Sequence, residues 1–98
     1  MSPGLADKVV EQIGKAGLPI SGSTPFVPRL TKNRRGDYVI VKQAVSIGPK
    51  KGKKGFLDSQ GRIWLRDRAH ADVPDHRDVQ LRGGEEYFRV DMNGNELR

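Results

Sequence analysis

The sequence predicts an α+β fold in which one N-terminal helix precedes a small antiparallel β-sheet. Apolar residues at helical spacing occur only near the start, at Leu5, Val9, Val10 and Ile13. Beyond Gly36 the apolar residues fall instead into short runs of strand character, separated by turns rich in glycine, aspartate and asparagine. No repeat or second compositional zone divides the 98 residues, so a single domain is expected. Within it, residues 1–18 carry the helix, 19–36 an extended connector, and 37–98 the sheet.

Each element has a local cause. Ser2 suits an N-cap and Pro3 the first helical position, while Gly17 and Pro19 supply the C-terminal stop. Asp7, Lys8, Glu11, Gln12 and Lys15 fill the polar side of the helix, which reads as a packing element without chemistry. From Pro19 to Arg35 the chain is rich in Ser, Gly, Pro and Thr, with Phe26, Val27 and Leu30 as anchors. A basic turn, Lys32 to Gly36, leads into Tyr38-Val39-Ile40-Val41, a strand expected to continue through Val45. Ser46 to Gly55, S-I-G-P-K-K-G-K-K-G, reads as a mobile cationic loop, either a solvated turn or a phosphate contact. Phe56-Leu57 and Arg62 to Leu65 flank D-S-Q-G as one hairpin. Asp78 to Leu81 and Tyr87 to Val90 flank Gly83-Gly84 as a second, and D-M-N-G-N leads to a last strand at Glu96.

Charge narrows the partners. A net charge of +6 and an isoelectric point near 10.0 point to polyanions, above all nucleic acid or an acidic protein. A membrane partner is not expected, because no long apolar run exists and the polar face of the helix is of mixed charge. The absence of cysteine excludes disulfides, thiolate metal sites and a cysteine nucleophile.

The stretch Arg62 to Val79, R-I-W-L-R-D-R-A-H-A-D-V-P-D-H-R-D-V, concentrates the chemistry. It holds both histidines, His70 and His76, and the carboxylates Asp67, Asp72, Asp75 and Asp78 among arginines. Imidazole titrates near neutrality, a carboxylate orients it or takes a proton itself, and guanidinium neutralises phosphorane charge. This is the residue set of a ribonuclease that cuts by 2′-OH transesterification and needs no metal, since the nucleophile belongs to the substrate. His70 and His76 are the expected acid/base pair, with Asp67 and Asp78, and also Asp75, as orienting or proton-accepting carboxylates. Lys50, Lys51, Lys53, Lys54, Arg66, Arg68 and Arg89 are the expected phosphate contacts. Asp72, Asp58 and Asp91 are read as turn or capping residues, and Trp64 as core. Tyr87 and Phe88 face opposite sides of their strand, so at most one lies with the RNA. Two other uses of these residues stay open. One is a non-catalytic RNA- or ribosome-binding module, and the other is a metal-dependent DNase built on the two histidines and nearby aspartates, although their spacing fits no strong metal motif.

The run from Lys50 to Arg98 resembles the C-terminal toxin domains of bacterial polymorphic toxins, the contact-dependent inhibition and Rhs type. It is more distantly similar to the ribosome-cutting nuclease domain of E-group colicins and cloacin. A lysine-rich turn leads into D-S-Q-G, an aromatic strand, Asp67-x-x-His70, and a glycine-containing hairpin that ends in an Asn/Gly turn. The resemblance implies a strongly twisted barnase–EndoU–colicin–RelE-like sheet and cleavage of rRNA or tRNA. It also implies catalytic roles for Asp67 and His70. The glutamate expected four residues after that histidine is replaced by Pro74, which leaves Asp75 or His76 to take its part. The D-H-x-D-V run, Asp75 to Val79, belongs to the polymorphic-toxin pattern. No cofactor is implied. The implied partner is a cognate acidic immunity protein in a 1:1 complex with an otherwise monomeric domain. Such a domain would be delivered as the C-terminal part of a larger effector, the helix being a remnant of that junction, and would act in the target-cell cytoplasm.

Overall fold

The computed structural model describes residues 7–67 and 76–97 of the chain. Among the described residues one α-helix precedes eight short strands in the order α1 (Asp7–Lys15), β1 (Leu30–Lys32), β2 (Tyr38–Ile40), β3 (Lys42–Ala44), β4 (Lys54–Leu57), β5 (Ile63–Asp67), β6 (His76–Leu81), β7 (Glu86–Asp91) and β8 (Glu96–Leu97). Strands β3 to β8 form a six-stranded meander in which every strand is antiparallel to its sequence neighbour. The connections are too few in residues for the long crossover that a parallel pairing would require. The chain is α+β, as the residue pattern predicts.

The helix turns Val9 and Ile13 inward, onto Leu18, Phe26, Ile40, Trp64, Val79 and Val90. Trp64 is fully buried, with the edge of one ring against the face of the other in its contact with Phe26 (centroids 5.3 Å apart, planes at 82°). Gly17, at φ +68°, ends the helix, and the Leu18 amide donates to the Ile13 carbonyl at 3.1 Å. The expected capping by Ser2 and Pro3, and the apolar position Leu5, lie outside the described residues.

Arg77 stands on this same helix-facing side of the sheet, fully buried, and its Nη2 donates to the Ala16 carbonyl at the helix end. Burial, and after it the Arg66 guanidinium opposite it across the strands, pulls the Arg77 pKa below its ordinary value.

Two expectations are corrected. The run from Tyr38 does not continue as one strand through Val45. It breaks at Val41, where the chain passes from one sheet to another. The Val41 amide donates to the Arg29 carbonyl, and its carbonyl accepts from the Leu57 amide, so a single residue satisfies both neighbours. The segment before it, read as connector, contributes a strand of its own: β1 pairs with β2 in a separate two-stranded sheet, Leu30 opposite Ile40 and Lys32 opposite Tyr38.

The other face of the meander begins apolar and ends polar. Val45, Leu57, Ile63 and Leu65 form a second small core over β4 and β5. In register with Leu65 and Ile63, strand β6 presents Asp78 and Gln80, and β7 continues these rows with Arg89 and Tyr87. The site is built on that polar end.

Candidate active site

Alternation along β6 sends Arg77 and Val79 toward the helix and sends His76, Asp78 and Gln80 to the opposite face. A cleft of about 200 Å³ opens there, lined by Pro49, Lys50, Asp78, Gln80, Tyr87 and Arg89. Three separate parts of the sequence meet in it.

The lysine-rich segment lines the cleft with Pro49 and Lys50 because its base is pinned. The Ser46 and Ile47 amides donate to the Gly83 carbonyl at 2.9 and 3.1 Å, and the Ser46 hydroxyl reaches the same oxygen at 3.2 Å. Its neck is closed by Val45 and Gly52 amides donating to the Lys53 and Val45 carbonyls. Gly84 makes the approach possible. It sits at φ +124°, and a Cβ there would stand 2.1 Å from the Ile47 carbonyl oxygen. The expected mobile loop is therefore anchored at its base to the β6–β7 connection, with Pro49 and Lys50 lining the cleft that Asp78 and Gln80 also line.

Asp78 is the centre of the charge arrangement. Its Oδ1 lies 3.5 Å from His76 Nε2 on one side and 3.9 Å from Arg89 Nε on the other. Only about 5% of its side chain is exposed, whereas Arg89 is half exposed. His76 is almost fully buried and does not line the cleft; its Nε2 stands beside the Asp78 carboxylate, which does.

Among the predicted site residues, the fold brings together His76, Asp78, Lys50 and Arg89. Lys51, Lys53 and Lys54 are exposed on the loop and the start of β4. Arg66 is exposed too, but it pairs in register with the helix-facing Arg77 and so stands on the face away from the cleft. The backbone of Asp67 is directly opposite His76 at the end of β5. His70, Asp75, Arg68 and Asp72 lie outside the described residues. Among the described residues no three histidine, cysteine, aspartate or glutamate side chains are grouped to hold a metal ion.

Two cleft residues, Gln80 and Tyr87, escape a reading of the sequence aimed at acids, bases and cations. Gln80 was reachable by stepping two positions along the strand from Asp78. Strand alternation places Tyr87 and Phe88 on opposite faces, and the Gln80–Tyr87 register puts Tyr87 at the cleft while Phe88 packs on the main core. Trp64 and Asp58, by contrast, belong to the structural framework. The Trp64 indole donates to Asp58 Oδ2 at 2.9 Å.

Comparison of the chain with protein-family models, with curated proteins and with solved structures finds no match. No described helix is long and apolar enough to cross a membrane.

Proposed function

We propose that the β6–β7 cleft is the active site of a metal-independent endoribonuclease of the toxin type, cutting rRNA or tRNA by 2′-OH transesterification. The observation that carries this reading is the position of Asp78, a recessed carboxylate at a cleft wall with a guanidinium and a lysine-bearing loop around it. In this reading Asp78 accepts the proton of the 2′-OH, and O2′ attacks the adjacent phosphorus. The P–O5′ bond then breaks, leaving a 2′,3′-cyclic phosphate, and a general acid protonates the departing O5′. Arg89 and Lys50 stabilise the charge that accumulates on the phosphorane oxygens. His76 positions the Asp78 carboxylate from behind, and the acid is assigned to His70.

The similarity of Lys50 to Arg98 to polymorphic-toxin and colicin nuclease domains supports the same reading. With it come the proposed partner, an acidic immunity protein that covers the cleft in a 1:1 complex, and delivery within a larger effector into a competitor's cytoplasm. A basic domain and an acidic inhibitor associate fast through complementary charge.

The test is incubation of the protein with intact ribosomes and with total tRNA in the presence of EDTA. Discrete fragments are expected from the wild type. Asp78→Asn is expected to slow their formation by roughly 10²–10⁴-fold and Arg89→Ala by on the order of 10²-fold, both with an unchanged circular dichroism spectrum. Intact RNA with binding retained would replace the enzyme by the binding module. In a parallel incubation with DNA and Mg²⁺, cleavage that EDTA abolishes would replace it by the metal-dependent DNase.

A further inference from the structure

Gln80 has no task in the chemistry above, yet its environment is unusual. It is 2% exposed, it lines the cleft, and among the described residues its amide nitrogen Nε2 has no hydrogen-bond partner. A buried amide donor that the described residues leave unpaired is destabilising, and a ligand that accepts from it would remove that cost. Its register partner on β7 is Tyr87, whose ring is more than half exposed at 56% and lines the same cleft. One strand step away on each side stand Asp78 and Arg89, themselves a register pair. The polar end of the sheet thus carries two rows, an aromatic ring with a carboxamide, and a carboxylate with a guanidinium.

We infer that Gln80 and Tyr87 form a nucleobase subsite next to Asp78, selective for adenine. The choice of ligand rests on the ribonuclease reading. The recognition follows from the side chains. Single-stranded RNA is read by stacking splayed bases on aromatic rings and by hydrogen bonds to their edges. Tyr87 supplies the ring. A carboxamide offers one donor and one acceptor side by side, the complement of adenine N7 and N6. Adenine offers that acceptor–donor pair on two edges, N7/N6 and N1/N6, whereas guanine, whose N7 and O6 are both acceptors, and the pyrimidines meet a carboxamide on their Watson–Crick edge alone. Pyrimidines present less surface to the tyrosine ring. The neighbouring row, with the loop lysine that lines the same cleft, supplies the cations that take the phosphate of the same nucleotide, Arg89 and Lys50. A base on the first row therefore sets its own 3′-phosphate beside Asp78.

The subsite is tested by binding alone. Adenosine, guanosine, cytidine and uridine 3′-monophosphates, together with inorganic phosphate, are titrated into the wild-type protein. Chemical shifts of the Gln80 side-chain amide and the Tyr87 ring are followed by NMR. Adenosine 3′-monophosphate is expected to bind about 10-fold tighter than the other three, roughly the effect of one well-placed bidentate pair. Gln80→Leu should bring the four nucleotides to equal affinity. Tyr87→Ala should weaken all four by about 10-fold, the loss of one stack, and leave inorganic phosphate unchanged. Equal affinities in the wild type, or discrimination that survives Gln80→Leu, would overturn the subsite even in a protein that cuts RNA. Discrimination abolished by Gln80→Leu would uphold it even if no RNA were cut, a result that overturns the nuclease instead.

Discussion

A carboxylate taken out of water must be surrounded by donors, and the framework of this molecule depends on one that is. Asp58 is 1% exposed at the β4–β5 turn. Its Oδ1 accepts from the amides of Gln60 (3.0 Å) and Arg62 (2.8 Å), and its Oδ2 accepts from Arg62 Nε (2.6 Å) and from the Trp64 indole (2.9 Å). One side chain therefore closes the turn, neutralises an arginine and satisfies the polar atom of the largest core residue. The turn half of this was legible, because D-x-x-G between two strand-like runs calls for an aspartate that bonds backbone amides two and four residues on. The tryptophan half was not, since it exists only once β5 has folded back antiparallel to β4. Asp58→Ala removes the acceptor and leaves a buried indole N–H and a mostly buried guanidinium without their partner. It is expected to cost about 3 kcal/mol of unfolding free energy in urea titration. Asp58→Asn keeps a carbonyl acceptor and should cost clearly less. Equal losses for the two variants would show that charge, not hydrogen bonding, holds the turn.

At the level of elements, the helix and both hairpins could be read from periodicity and turn chemistry, whereas the contacts that shape the site could not. Val41 ends one strand pairing and begins another, yet Tyr38 to Val45 reads as one continuous strand because both pairings use the same residue types. The lysine-rich segment likewise looks solvated on its own. Its anchor is the Gly83 carbonyl, far along the chain, and the steric reason for the contact is a glycine that sequence reading treats only as a turn former. Gly84→Ala puts a methyl group against the Ile47 carbonyl at a backbone angle that L-residues rarely adopt. The connection must then move apart. A cost of about 2–3 kcal/mol is expected, with faster hydrogen exchange at the Ser46 and Ile47 amides than at the Val79 amide inside the sheet. Unchanged protection at Ser46 and Ile47 would mean that the loop is held by something other than this contact.

For the molecule as a whole, the question is whether its charge of +6 acts as a field or through particular residues. Exposed cations are spread over the described surface, and two pairs of them stand on different turns, Lys51 and Lys53 on the loop beside the cleft, and Arg34 and Arg35 between β1 and β2. A uniform positive field would make the two pairs interchangeable, because each pair contributes the same charge. A defined RNA path over the cleft would not. Binding to single-stranded RNA releases counterions, so the logarithm of affinity falls with the logarithm of salt by roughly 0.7 per phosphate contacted. Neutralising Lys51 and Lys53 to glutamine is therefore expected to reduce that slope by about 1.4, whereas neutralising Arg34 and Arg35 should leave it unchanged. Both double variants lower the net charge equally, which removes long-range attraction as an explanation for any difference between them. Equal slopes would mean that RNA is held by overall charge and that the cleft has no privileged path. A smaller slope for the loop variant alone would tie RNA binding to the pinned loop beside the cleft, the geometry that the proposed chemistry requires.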